Sequence, residues 1–274
     1  MTTDGVTIDL NGFEVAGPVN CGGFGSEVNC SGSSGWGITG LYDYLTVKNG
    51  RVRGFGGGGI HIRRRAQILH VIASTNGGIG INLGGQSNVS DSAAYRNFGA
   101  GIQANEYSVI ARSVVERNQG IGIVAASHST ILGNVAFDNG GDGINAGNGC
   151  VIRDNTAHLN EANGIGVGGQ GSTIRDNSTY QNGLDGIRAT NLGGPGGGNM
   201  ISDNASFKNG GDGIAGGPHS AVQRNIVSSN GGFGLNLASD AAYRENVVNN
   251  NSGGTVSGGV NMLANSCNGT TTCP

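Results

Sequence analysis

A chain of 274 residues with 56 Gly and only 12 % charged side chains sits outside ordinary globular composition, yet its glycines do not follow the three-residue period of collagen. Its net charge of −3 supplies no basic field for nucleic acid. No run of about 18 apolar residues occurs, so nothing in the chain reads as a membrane-spanning helix.

In chain order, Met1 leads directly into a strand-like stretch at residues 6–10 with no leader pattern ahead of it. An export signal and an N-terminal cap are therefore expected to lie outside this sequence. Cys21 and Cys30 then flank a loop rich in Gly and Ser, and Cys267 and Cys273 flank a short Asn-Gly-Thr stretch at the far end. Two short loops, one near each end, read as disulfide staples of an exported protein; free thiols of a cytosolic protein are the alternative. Cys150 stands alone inside a repeat and reads as a small buried side chain.

Between these loops the sequence repeats. Gly followed by Ile or Leu occurs at Gly59, Gly80, Gly101, Gly122, Gly143, Gly164, Gly186, Gly213 and Gly234, with successive spacings of 21, 21, 21, 21, 21, 22, 27 and 21. An earlier unit starts at Gly37, and the long spacing coincides with a Gly/Pro insertion at 191–199. Each repeat carries two further short apolar segments that end in Asn, as at Asn134 and Asn139, Asn155 and Asn160, or Asn225 and Asn230. Asn tolerates left-handed backbone geometry and suits sharp corners. Stacked Asn side chains can also pair amide to amide between repeats. Three short strands and three turns fill 21 residues, which predicts an all-β, single-stranded, right-handed parallel β-helix of about ten coils.

Leucine-rich repeats would need several Leu per repeat, hexapeptide helices would need multiples of six, and calcium-binding nonapeptides would recur every nine residues. The expected organisation is one β-helix domain over 1–274. Residues 1–36 form the first coil with the Cys21/Cys30 loop, 37–252 the regular coils, and 253–274 a C-terminal cap with Cys267 and Cys273.

The opening Asp-Gly-Val-Thr-Ile-Asp-Leu-Asn-Gly-Phe at 4–13, the stretch at 47–55 and the many Asn-x-Ala-x-x-Asn-Gly-x-x-Gly-Ile units resemble bacterial exported β-helix proteins of the pectate-lyase-like superfamily. The resemblance covers nearly the whole chain and implies the fold. That superfamily holds polysaccharide lyases, glycoside hydrolases and mannuronan epimerases, so the resemblance implies a glycan partner without fixing a reaction. The Asp-Pro-His-Asp signature of alginate epimerases is absent, and so is any Asp-Asp or Asp-x-Asp pair of the kind used by galacturonan hydrolases.

In a solenoid, residues 21 apart become neighbours, and columns replace linear motifs. The residue after each Gly-Ile points outward on one face: His61, Asn82, Gln103, Val124, Asn145, Gly166, Arg188, Ala215 and Asn236. Asn82, Gln103, Asn145 and Arg188 are the expected substrate-binding residues of this column. The adjoining turn adds Arg63, Arg64, Arg65, Glu106, Tyr107, His128 and His219. Candidate catalytic residues are Arg63, Arg64, His61, Glu106 and Tyr107, with Arg neutralising a uronate carboxylate and His or Tyr moving a proton; solvated turn residues are the bland reading.

A second column holds Asp142, Asn163, Asp185 and Asp212. Asp185 and Asp212 would repel unless a cation such as calcium or backbone N–H groups intervene; otherwise they are Asx turns. A third column, Tyr95, Glu116, Phe137, His158, Tyr180 and Phe207, is either an outward flat platform for sugar rings or another chain, or an inward aromatic core stack; the small residues one position earlier favour outward. The pairs Arg153-Asp154, Arg175-Asp176 and Arg244-Glu245, with Arg224, read as cross-coil ion pairs on a solvated face.

The expectation is a secreted, cell-surface or periplasmic protein that binds or processes polysaccharide, an acidic one in a lyase- or epimerase-like reading. It needs no cofactor other than the calcium considered above. The alternative is a non-catalytic structural, adhesive or self-assembling surface protein.

Overall fold

The computed structural model describes residues 4–22, 29–31, 34–190 and 198–274. The interior of the Cys21/Cys30 loop and residues 191–197 of the insertion lie outside the described residues. Every described element is a strand, and the chain is a parallel β-solenoid of about 11 turns with ~21-residue spacing, one turn more than the repeat count anticipates. Two compact units, Met1–Gly141 and Asp142–Pro274, each carry the coil.

In the first unit the strands Trp36–Gly40, Gly58–Ile62, Ile79–Leu83, Ile102–Ala104 and Ile123–Ala125 pair in parallel with Ile38, Ile60, Ile81, Ile102 and Ile123 in register. In the second, Ile144, Ile165, Ile187, Ile214, Leu235 and Val256 align in the same way. All are buried, so the Ile of each Gly-Ile pair is the core of its coil, packed on the coils before and after it.

The preceding Gly has a steric reason. A Cβ on Gly80 would stand 2.7 Å from the side-chain nitrogen of Asn97, and one on Gly143 would stand 2.6 Å from that of Asn160.

Those Asn residues form the ladders that the spacing suggests. In the first unit Asn76 Nδ2 donates to Asn97 Oδ1 at 2.9 Å, Asn97 to Asn118 at 2.9 Å and Asn118 to Asn139 at 3.0 Å. In the second, Asn160, Asn182, Asn209, Asn230 and Asn251 continue the pattern at 2.9–3.0 Å. A second ladder there runs Asn155, Asn177, Asn204, Asn225, Asn246 and Asn265, every step at 3.0 Å. Ladder amides also take a backbone N–H or give to a backbone carbonyl, as Asn97 Nδ2 does to Ala73 O at 3.1 Å. Buried polar groups are thereby satisfied in a chain of mutually polarised bonds.

The ladder Asn is not the residue that turns the corner. Positive φ falls one position earlier, at Thr75, Arg96 and Arg117 before Asn76, Asn97 and Asn118, and at Gln181, Lys208 and Ser229 before Asn182, Asn209 and Asn230. The Asn faces inward to bond the next coil, and the left-handed residue before it points to solvent. Both disulfides form, Cys21–Cys30 and Cys267–Cys273, and Cys150 is buried outside them.

Candidate functional site at a coil corner

The outward column on the Gly-Ile strands is as the spacing requires. Thr39, His61, Asn82, Gln103 and Val124 are register partners in the first unit, and Asn145, Gly166, Arg188, Ala215 and Asn236 in the second. His61 is tucked against Trp36, ring centroids 4.9 Å apart, with its Nδ1 buried. That placement withdraws it from the arginine-rich turn it precedes.

The turn itself makes a site. After Ile62 the chain runs through Arg63 and Arg64 to Arg65, which adopts φ 53°. Tyr44, Gln86, Tyr107 and His128 occupy the same left-handed corner of their coils, at φ 59–61°. A left-handed residue between two short strands is forced outward, so these side chains stack along the corner. The Arg65 guanidinium lies 5.3 Å from the Tyr44 ring centre, and its Nε donates to Gln86 Oε1 at 2.8 Å. Tyr107 and His128 stack at 5.0 Å with planes 10° apart. Asp43 accepts from Arg65 at 3.0 Å and lies 3.4 Å from Arg64 Nε. One carboxylate thus serves two guanidiniums, which leaves the turn net positive.

Between Arg64 and Tyr107 the coil carries Gly84 and Gly85 instead of side chains. A Cβ on Gly84 would fall 1.2 Å from the Arg63 carbonyl oxygen, so this backbone is sunk against its neighbour. The recess is a cleft of about 480 Å³, whose side-chain walls are Arg64, Gln86, Asn105, Glu106, Tyr107 and Ala126. Tyr107 is 60 % exposed, so its ring is available to a ligand as well as to His128.

Of the predicted site residues, Arg64, Glu106 and Tyr107 meet here, while Arg63, His61, Asn82 and Gln103 are not among the lining groups. Gln86 and Asn105 were not singled out from sequence. Reading Gln86 21 residues after Arg65, and Asn105 beside Glu106, would have found them.

A second, smaller groove of about 200 Å³ lies in the other unit. It is floored by Gly166 and walled by Asp142, Asn145, Asn163, Arg188 and Thr190. Asp142 Oδ1 accepts from the backbone and side-chain nitrogens of Asn163, both at 2.9 Å, and its Oδ2 accepts from Asn145 at 2.9 Å. Asp185 Oδ1 accepts the Asp212 N–H at 2.7 Å, and Asp212 accepts the Phe233 N–H at 2.6 Å and the Asn236 amide at 2.7 Å.

The acids therefore cap amides of the following coil, and Asp142 also holds Asn145 of its own coil. Among the described residues no group of three or more His, Cys, Asp or Glu is placed to hold a metal. Burial pushes the Asp185 carboxyl up; the Asp212 N–H opposes this, the Asp212 charge adds to it, and Arg188 opposes it again.

The aromatic column does point outward, but not as a platform. His158 and Tyr180 stack at 4.7 Å and 2°, and Tyr180 and Phe207 at 5.0 Å and 6°. Rings stacked along the coil direction use their faces on one another and present edges to solvent. The ion pairs divide: Arg153–Asp154 and Arg175–Asp176 stay within one coil, whereas Arg224 holds Asp203 with two bonds at 2.8 and 2.9 Å across coils.

The family described as the right-handed β-helix region matches residues 20–151 and 144–272. The chain belongs to this family. A search of curated protein sequences finds no match.

Solved structures similar to this right-handed β-helix include the A-module of the Azotobacter vinelandii mannuronan C-5 epimerase AlgE4, at 17% identity and TM-score 0.54 over 82% of this chain and 65% of that one. Pectate lyase Pel9A matches at 17% identity and TM-score 0.57, over 85% and 68%. The catalytic unit of a GH87 α-1,3-glucanase from Streptomyces thermodiastaticus matches at 14% and TM-score 0.64, over 85% and 61%. The chain spans slightly under two thirds of the epimerase module. At such identities the likeness is one of fold.

Proposed function

We propose that this β-helix protein binds polysaccharide at the corner cleft of its first unit, with an acidic glycan as the preferred partner. The observation that carries the reading is the cleft itself. An exposed Tyr107 ring backed by His128 stands in one recess with Arg64, Gln86, Asn105 and Glu106. An aromatic ring with one apolar face and convergent amide and carboxylate groups is the chemistry that holds a sugar ring. A guanidinium held by only half of Asp43 is the group that reads a carboxylate. Similarity to an epimerase, a lyase and a glucanase in fold agrees with a glycan partner. Two disulfides fit export to the periplasm, the cell surface or the medium.

Calorimetric titration with alginate, pectate and a neutral glucan tests this. Acidic chains should bind and the Arg64→Ala protein should lose about tenfold or more in affinity. Equal binding of neutral and acidic chains would remove the role of Arg64, and no binding at all would remove the proposal.

A processing role is the second reading, favoured by Arg64 and Tyr107 lining one cleft, a carboxylate-neutralising group beside a phenol able to carry a proton. Unsaturated products absorbing in the ultraviolet would show lyase turnover, and a changed uronate composition would show epimerisation. Binding without either leaves a non-catalytic adhesive or structural protein.

A further inference from the structure

Asn followed by Gly occurs ten times in the chain. This dipeptide is chemically labile because the glycine amide nitrogen meets little steric resistance in attacking the Asn Cγ. A C–N bond forms and ammonia leaves, giving a cyclic succinimide; one water then opens the ring to Asp or to isoaspartate, in which the main chain runs through the former side-chain carbon. The attack needs a glycine nitrogen that is not held elsewhere and an Asn side chain able to swing towards it.

The fold denies both conditions almost everywhere. In eight of the ten pairs the glycine N–H donates to a backbone carbonyl, as Gly140 does to Asn118 at 2.9 Å and Gly210 does to Asn182 at 2.8 Å. In a ninth, Gly50 lies inside the strand Thr46–Arg53. Five of these Asn residues, Asn76, Asn139, Asn182, Asn209 and Asn230, are buried ladder members. Asn209, for instance, donates to Asn230, Thr179 and Ser206 while accepting from Asn182.

The tenth pair is different. Asn268 is exposed, adopts φ 50° and has one side-chain bond, Oδ1 accepting the Asn250 N–H at 2.9 Å. Among the described residues the N–H of Gly269 has no backbone hydrogen-bond partner.

We infer that Asn268 is a site of spontaneous deamidation and isoaspartate formation, with water as the only co-reactant. The reaction touches the cap of the second unit. Asn268 N–H donates to Val248 O at 3.0 Å, next to the strand pairing of Val247–Asn249 with Ser266–Cys267 and inside the loop closed by Cys267–Cys273. An isoaspartyl linkage lengthens the main chain at this point, so the bonds to Val248 and Asn250 cannot both survive. The new carboxylate adds a negative charge to a chain already at −3.

Peptide mapping with fragment-ion localisation, on native disulfide-intact protein aged at mildly alkaline pH, tests the inference. Asn268 should convert at least about tenfold faster than Asn209 or Asn230, because ladder Asn react only through opening of the coil. In the denatured chain the ten sites should converge. Isoaspartyl methyltransferase labelling of the native protein should be abolished in Asn268→Gln. Native Asn268 reacting no faster than the ladder sites, or labelling that survives Asn268→Gln, would overturn the assignment.

Discussion

In the first unit the residue before each Gly-Ile is Trp36, Gly58, Ile79, Ala100 and Ile121; in the second, the residue before each Gly-Ile or Gly-Leu is Asp142, Asn163, Asp185, Asp212 and Phe233. At the left-handed corner the contrast reverses. Tyr44, Arg65, Gln86, Tyr107 and His128 crowd it in the first unit, whereas Gly149, Gly171, Gly198 and His219 occupy it in the second. Inward columns are the same in both units, because Ile, Gly and Asn must close the coil. Outward columns are under no such constraint, and each unit places its polar chemistry at a different point of one backbone. The first unit leaves a cleft at its corner, the one proposed above to take a glycan. The second uses its acids on its own amides.

If the inward scaffold is common to both units, equivalent ladder residues should matter equally. Asn97→Ala in the first unit and Asn209→Ala in the second each remove several buried side-chain bonds and leave partners unsatisfied. Each should lower stability by about 3 kcal/mol or more in denaturant titration. A large loss in one unit beside tolerance in the other would break the comparison.

The outward columns should separate the units instead. Gly85→Leu fills the corner cleft, and its first carbon meets the Glu106 carbonyl oxygen at 2.9 Å. Gly166→Val fills the second groove, where the nearest atom is Asp142 Oδ2 at 2.6 Å. Acidic glycan affinity should fall about tenfold or more in the first variant and stay unchanged in the second, with both retaining their β circular dichroism. Tyr107→Ala should cost about 1 kcal/mol of binding, the scale of an aromatic contact. Loss of binding in Gly166→Val alone would move the site to the second unit.

The sequence made the coil legible because steric and hydrogen-bonding demands repeat with it. Gly80 and Gly143 are Gly for one reason, and Asn97 and Asn160 are that reason. The corner assignment missed by one residue. Nothing in Lys208-Asn209 or Gln181-Asn182 distinguishes a left-handed Lys or Gln from a left-handed Asn, and only the inward bonding of the Asn decides it.

The cleft was half legible. Arg64, Glu106 and Tyr107 stand out as ionisable or aromatic, but a recess is made by what is missing, here the side chain of Gly85, in a chain where Gly is everywhere. His61 misled for the opposite reason. Its spacing places it on the right face, and only packing against Trp36 removes it from the site. The aromatic column was read correctly as outward, yet stacking on its neighbours decides whether a ring offers a face or an edge, and spacing carries no information about that.

The smallest expected effect bears on the acids themselves. Asp185 has its carboxyl pushed up, chiefly by burial, so the folded chain holds that proton more tightly than the unfolded chain. Such a group contributes stability below the ordinary carboxylate range and loses it as pH rises through the raised folded value. Asp91 in the first unit has the opposite sign. Its bidentate bond to Arg112 holds its carboxyl down, so its contribution is present at neutral pH and is lost as pH falls through the lowered value.

Asp185→Asn keeps an oxygen for the Asp212 N–H, just as Asn163 already serves the Asp185 N–H at 3.1 Å, while removing the charge. It should stabilise the protein by under about 1 kcal/mol at pH 7, the discount reflecting partial solvent exposure. Near pH 3 the gain should vanish. Asp91→Asn should destabilise at pH 7 and be silent in acid. If Asp185→Asn instead destabilises at neutral pH, the carboxylate is needed in its charged form, and the second unit's acids do more than cap the coil that follows them.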